Sequence, residues 1–316
     1  MNLYRSVRAV TGASGEGAID WAAVSEAVKN STAPGDLDVS DAEREEYATD
    51  VRAARDRVRE VTGTTFDLPE RVEIQDRHHW IDANIETFER VMTPLEQQAG
   101  AVPGFATIAN TGSMAFALSF LSRHVLGQYD PLLLADSPDH ALYFLRPNII
   151  KTAEKLDVPY GRFRRWIAFH EVTHAAEFGA APWLPKHLET SMQEAIENLT
   201  SGTIDREAMS ALDTTMTAVE GYAELVMDRA FDDEYADLRR KLEQRRQGRG
   251  PIERLIRRFL GLSVKRRQYE RGKEFFDGVV ERRDIATATR VWESPDHLPT
   301  DAELDDPAAW IARVEG

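Results

Sequence analysis

The sequence predicts a mainly α-helical fold, α+β at most, and three observations predict it. Most stretches with an apolar period repeat at helical spacing. Only two or three short stretches alternate or cluster branched and aromatic residues as strands do. No Pro/Gly/Ser-rich linker is long enough to separate a pair of domains. The 316 residues therefore read as a single domain, 1–316, with a helical N-terminal subregion over 1–100 and a core over 101–316 that carries the chemistry.

The elements follow in order. Residues 40–61, SDAEREEYATDVRAARDRVREV, open on Ser and Asp and close before Thr-Gly, so they form a helix. RVEIQD at 71–76 alternates and reads as a short strand. DANIETFERVMTPLEQQAG at 82–100 is a helix ending in Gly, and TGSMAFALSFLSRHVLGQ at 111–128 is a strongly apolar one. ALYFLRPNII at 141–150 is aromatic and branched, with Pro147 ending it, and reads as a strand. Helices follow at 161–179, 188–200 and 206–232. QGRGP at 247–251 is the clearest break, and beyond it come helices near 251–260 and 265–280 and a Pro-rich tail.

Composition narrows the function classes. Hydrophobic residues are 42% and charged residues 29%, a globular balance. There is no cysteine, so disulfides, thiolate metal sites and a cysteine nucleophile are excluded, and any metal must be held by His, Asp and Glu. The net charge of -15 argues against nonspecific nucleic-acid binding. Only 7 of the 39 basic residues are lysines. That pattern fits a salt-rich cytoplasm, and a GC-rich genome also favours Arg. The N-terminus, MNLYRSVRAVTGASGEG, lacks the apolar run of a signal peptide. The apolar patch MAFALSFL at 114–121 is too short to span a bilayer. The expectation is a soluble cytoplasmic protein with no membrane partner. No Gly-rich phosphate loop appears, and no Gly-x-Ser-x-Gly elbow surrounds Ser113.

The stretch that carries chemistry is FHEVTHAAEF at 169–178. At about 100° per residue, Phe163, Trp166, Ile167, His170, His174, Glu177 and Phe178 fall on one helix stripe. Both histidines thus point where the large apolar side chains point, with Glu171 on the flank. The opposite face carries Phe169, Val172 and Ala176, so the helix is buried nearly all round. Four ring nitrogens then need partners. One solution is a divalent ion, because histidines four apart bring both rings to one metal and the intervening Glu can take a proton from water there. The other is a pair of core histidines hydrogen-bonded to backbone or carboxylates.

A catalytic zinc needs a third protein ligand. In LDTTMTAVEGYAELVMDRAF at 212–231, Asp213, Met216, Glu220, Glu224, Met227 and Phe231 share a stripe. Carboxylates on an otherwise apolar face are costly unless compensated. Glu220 is the best third ligand. Gly221 beside it costs about 1 kcal/mol in a helix interior, which suggests that it lets this helix approach the first. Glu224, one turn on, suits the acceptor of a ligating histidine's outer N–H. The alternative is a solvated acidic face, which the flanking methionines oppose.

Residues 239–273 hold 14 Lys/Arg against 3 Asp/Glu. They read as a salt-bridged helix pair or as a platform for an anionic ligand. Tyr269, Tyr222 or Lys265 could donate to the oxyanion that hydrolysis creates, with Tyr269 the choice, unless they are core or surface residues with satisfied polar atoms. His78, His79, His124, His140, His187 and His297 have no ligand-like spacing and read as structural or surface residues.

At these residues the chain resembles the zincin-like metallopeptidases assigned as hydrolases associated with deazaflavin-coenzyme biosynthesis. The shared features run from Asp20-Trp21 to the C-terminus. They include TG at 62–63, DRHHWIDANIETF at 76–88, GQYD at 127–130, RPN at 146–148 and WIAFHEVTHAAEF with PWL at 166–184. VEGYAELVMD at 219–228, RRFLGLSVKRRQYERGKEFF at 257–276 and LPT with DPAAW at 298–310 continue the match. The resemblance implies a mostly helical zincin-like domain with His170, His174 and Glu220 as zinc ligands and Glu171 as base. It implies no substrate. The expected activity is zinc-dependent hydrolysis of a peptide or other amide bond. The competing expectation is a non-catalytic, zinc-stabilised helical protein that binds a partner or a coenzyme-pathway component. An intact Glu171 favours the enzyme, since a structural site needs no base.

Overall fold

The computed structural model describes residues 3–13, 18–99, 104–130, 140–200, 206–231, 235–247 and 265–316. Side chains are described for these except at 94–99, 104–106, 195–200, 206–209, 243–247 and 265–269. The fold is mainly helical, with one three-stranded sheet among the described residues. It resolves into two compact units, one of 1–41, 70–152 and 196–204 and the other of 42–69, 153–195 and 205–316.

In the first unit, helices α1 (Leu3–Thr11) and α2 (Trp21–Ser31) precede strand β1 (Arg71–Gln75), helices α4 (Arg77–Ala99) and α5 (Gly104–Leu121), and strands β2 (Gly127–Asp130) and β3 (Ala141–Leu145). Helix α3 (Asp41–Thr62) lies between α2 and β1 in sequence and belongs to the second unit. Strand β3 is central, parallel to β1 and antiparallel to β2, and every one of its residues is buried. The core here joins Trp21, Val24 and Val28 of α2 to Trp80 and Ile81 of α4, Leu118 of α5 and Leu145. Asp20 caps α2 by accepting from Ala23 N, and its own N–H donates to Thr111 of α5.

Three of the sequence motifs meet in this unit as a buried polar brace. Arg77 Nε donates to Asn148 Oδ1 at 2.7 Å, and Asn148 Nδ2 donates to the carbonyls of Ser122 and Val125. Trp80 Nε1 donates to Gln128 Oε1, and Gln128 Nε2 donates to Asn84 Oδ1. Such side chains are tolerated inside because their polar atoms are paired. DRHHW, GQYD and RPN are thus architectural here.

Pro147 does not end a strand. It sits near the start of helix α6 (Arg146–Leu156), which takes over directly from β3. A proline at the first turn of a helix loses no hydrogen bond, and its fixed φ suits helix entry, so the branched run splits into strand and helix. The apolar helix expected over 111–128 likewise begins earlier, at Gly104, and gives way to β2.

The second unit holds α3, α7 (Tyr160–Ala180), α8 (Leu184–Thr200, to residue 195), α9 (Arg206–Ala230), α10 (Ala236–Gln247), α11 (Lys265–Arg282), α12 (Ile285–Thr289) and α13 (Pro307–Glu315). The expected helix near 251–260 lies outside the described residues. Helix α3 ends at Gly63, whose φ of +69° is the left-handed conformation that stops helices. A buried ion pair ties α3 to the start of α7. Arg164 donates to Asp50 at 2.8 Å and to Glu46 at 2.6 Å, with its guanidinium over the rings of Tyr47 and Tyr160. Breaking such a pair by removing one partner typically costs about 3–5 kcal/mol. The C-terminal tail is ordered, not merely Pro-rich. Asp284 and Asp306 cap α12 and α13, and Trp310, fully buried, donates to His297 O at 2.8 Å.

Candidate metal centre

Helix α7 carries the histidines and α9 carries Glu220, and both belong to the second unit. Aromatic packing fixes one end of this helix pair. Phe231, at the end of α9, stacks on Trp166 and packs against Phe169 of α7, with Tyr235 closing the cluster. Arg239 caps α9 by donating to the carbonyls of Met227, Asp228 and Phe231. At the middle of α9 the helix touches α11 with no side chain between. A Cβ on Gly221 would lie 2.4 Å from the Gly272 carbonyl carbon, and one on Gly272 would lie 2.3 Å from Thr217 O. The close approach that Gly221 permits is therefore to α11, not to the histidine helix.

From Trp166 to Phe178 every residue of α7 is buried except His170 and His174, which keep partial exposure. Between Thr214 and Met227 of α9, only Met216 and Glu224 are partly open. The stripe read as inward-facing is therefore buried at Phe163, Trp166, Ile167, Glu177 and Phe178, and it opens to solvent only at the two histidines. His170 Nε2 and His174 Nε2 stand 3.3 Å apart, with the rings nearly perpendicular at 78°. Two nitrogens bound at about 2.0–2.1 Å in a tetrahedral zinc site would be separated by about 3.3–3.4 Å. The ligand atoms of His170, His174 and Glu220 all lie within 4.8 Å of one another, and Glu220 is 7% exposed.

The remaining groups fit a cation. His174 Nδ1 lies 2.8 Å from Glu177 Oε2, so its N–H donates there and Nε2 is left facing His170 and Glu220. Glu177 is fully buried and Glu171 is 6% exposed. Burial works against an imidazolium at His174, but Glu177, Glu220 and Glu171 outweigh it and raise the proton affinity of the ring. Burial pushes the Glu177 carboxyl up too, opposed by His174 and helped by Glu220. Three carboxylates crowded around two imidazoles put negative charge in a low-dielectric place, which bound protons relieve in part and a divalent ion can relieve in their stead.

The other predicted residues fall as follows. Tyr222 is no oxyanion donor: it is 2% exposed, packs edge-on to Phe276 and Trp292, and its hydroxyl bonds Thr289 Oγ1 at 2.8 Å. Tyr269 and Lys265 lie on α11, and their side chains are outside the described residues. Glu224 is half-buried on α9. The Nδ1 of His174, one of the two atoms it was expected to accept from, is held by Glu177. Glu177 stood on the predicted stripe without a role. Its spacing, one turn after the second histidine, was the available signal. His78, His79, His124, His140, His187 and His297 each bond a backbone or side-chain group away from the three ligands. The described part of the basic segment is paired: Lys241 to Asp157 O, Arg271 to Asp301 and Asp305, and Lys273 to Asp228 and Asp277.

A protein of Chloroflexus aurantiacus, described as a candidate hydrolase with a novel fold, has a crystal structure similar to this one. The two are 28% identical, with a TM-score of 0.76 over 100% of this chain and 99% of that one. Among curated proteins no match is found. The family model for zincin-like metallopeptidases matches residues 19–207 and 200–311, which include both the histidine helix and the Glu220 helix. The chain belongs to the zincin-like metallopeptidase family.

Proposed function

We propose that the protein is a zinc-dependent hydrolase of peptide or other amide bonds. The observation that carries this reading is the convergence of His170 Nε2, His174 Nε2 and Glu220 beside the buried carboxylate of Glu171. His170, His174 and Glu220 would hold the ion. When bound there, zinc supplies Lewis acidity toward water and the substrate carbonyl. Glu171 takes the proton from the attacking water and returns it to the leaving amine. Glu177 holds His174 in the tautomer that presents Nε2. Tyr269 is the proposed donor to the tetrahedral oxyanion. A non-catalytic site would have no use for Glu171, an ionisable group buried at a cost.

The test is turnover of a broad peptide library together with deazaflavin-pathway amides, measured as supplied, after chelation and after zinc is restored. Cleavage should vanish with the chelator and return with zinc. Cleavage indifferent to chelation would end the metallohydrolase reading, and zinc binding without any turnover would favour the non-catalytic one.

A further inference from the structure

We infer that Glu177 is the positioning residue of this centre, acting on the metal through His174; the inference rests on the metal reading above. Three observations carry it. Glu177 follows His174 by three residues on one helix, so the backbone presents its carboxylate to that imidazole. The contact is a 2.8 Å hydrogen bond to Nδ1, the atom away from the ligand cluster. The carboxylate is fully buried, and its second oxygen, Oε1, has no hydrogen-bond partner among the described residues. Packing alone would favour a leucine or glutamine here. A group so costly to bury is compensated if it fixes the His174 tautomer and strengthens Nε2 as a donor toward a cation. This gives the chain a sequence of roles along one helix face: ligand His170, base Glu171, ligand His174 and support Glu177. It also confines Glu224 to the support of His170.

The experiment compares the full-length protein with Glu177→Gln and Glu177→Ala. Zinc affinity is read by competition with a chromophoric chelator, and the His174 tautomer is read by nitrogen-15 NMR on samples stripped of metal, at a pH high enough to leave the ring neutral. The Gln variant keeps shape and an acceptor oxygen but loses charge, while Ala loses all three. We expect zinc affinity to fall by about 10–100-fold in the Ala variant and by less in Gln. We also expect the Nδ1–H tautomer of His174 to dominate in the wild type and to lose that dominance in Ala. If Ala does not fold, Gln carries the test through its affinity alone. Affinity within twofold of wild type in every variant that folds, or an unchanged tautomer in Ala, overturns the role. If the wild type binds no zinc, the metal reading fails instead, and the tautomer comparison still decides whether Glu177 orients the ring.

Discussion

Glu171→Gln is expected to lower kcat/KM by about 10²–10⁴-fold while leaving zinc bound and the melting temperature nearly unchanged. The substitution is isosteric, so the packing around a side chain only 6% exposed is kept. An amide cannot accept the proton that the attacking water must lose. Glu171 is also outside the set of atoms that converge within 4.8 Å, so its loss should not strip the metal. Equilibrium dialysis, a thermal melt and a progress curve on one preparation separate the three effects. Activity within threefold of wild type would remove Glu171 as the base. Lost zinc would make it a member of the ligand set.

The second large effect concerns the two glutamates of α9. Glu220→Ala should abolish tight zinc binding, because it removes a metal bond and leaves two histidines, too few for a stable site. Glu224→Ala should weaken binding by no more than about 10–100-fold, as expected for a group that acts through His170. Their burial already separates them: Glu220 is buried, and Glu224, one turn on, is half-buried. A chelator-competition titration ranks the two. If Glu224→Ala is the more damaging, the ligand lies one turn further along α9.

The site was more legible in the sequence than the sheet was. His170, His174 and Glu220 share rows at helical period, and long amphipathic segments declare their facing through spacing alone. Glu177 lay on the same row. Its role needed a distance, because an i,i+3 glutamate can equally face solvent. Gly221 showed that a close helix approach was needed, but the sequence reading assigned that approach to the histidine helix, and it is made to α11. That depended on α11 bringing Gly272 to the same point, a contact between residues 51 positions apart. Strand β2 was absorbed into a helix, because GQYD is too short to show a period and gains strand character only from pairing with β3. The order in the tail was hidden by its prolines. Two Asp caps and the buried Trp310 impose it, and those act through tertiary contact.

Anomalous diffraction at the zinc edge, from crystals of the protein purified without chelators, interrogates the metal centre itself. One strong peak per chain is expected, about 2.0–2.2 Å from His170 Nε2, His174 Nε2 and a Glu220 oxygen, with Glu177 still on His174 Nδ1. Zinc-grown crystals with no peak there, and the two Nε2 atoms still 3.3 Å apart, would contradict the assignment of these residues as a metal site.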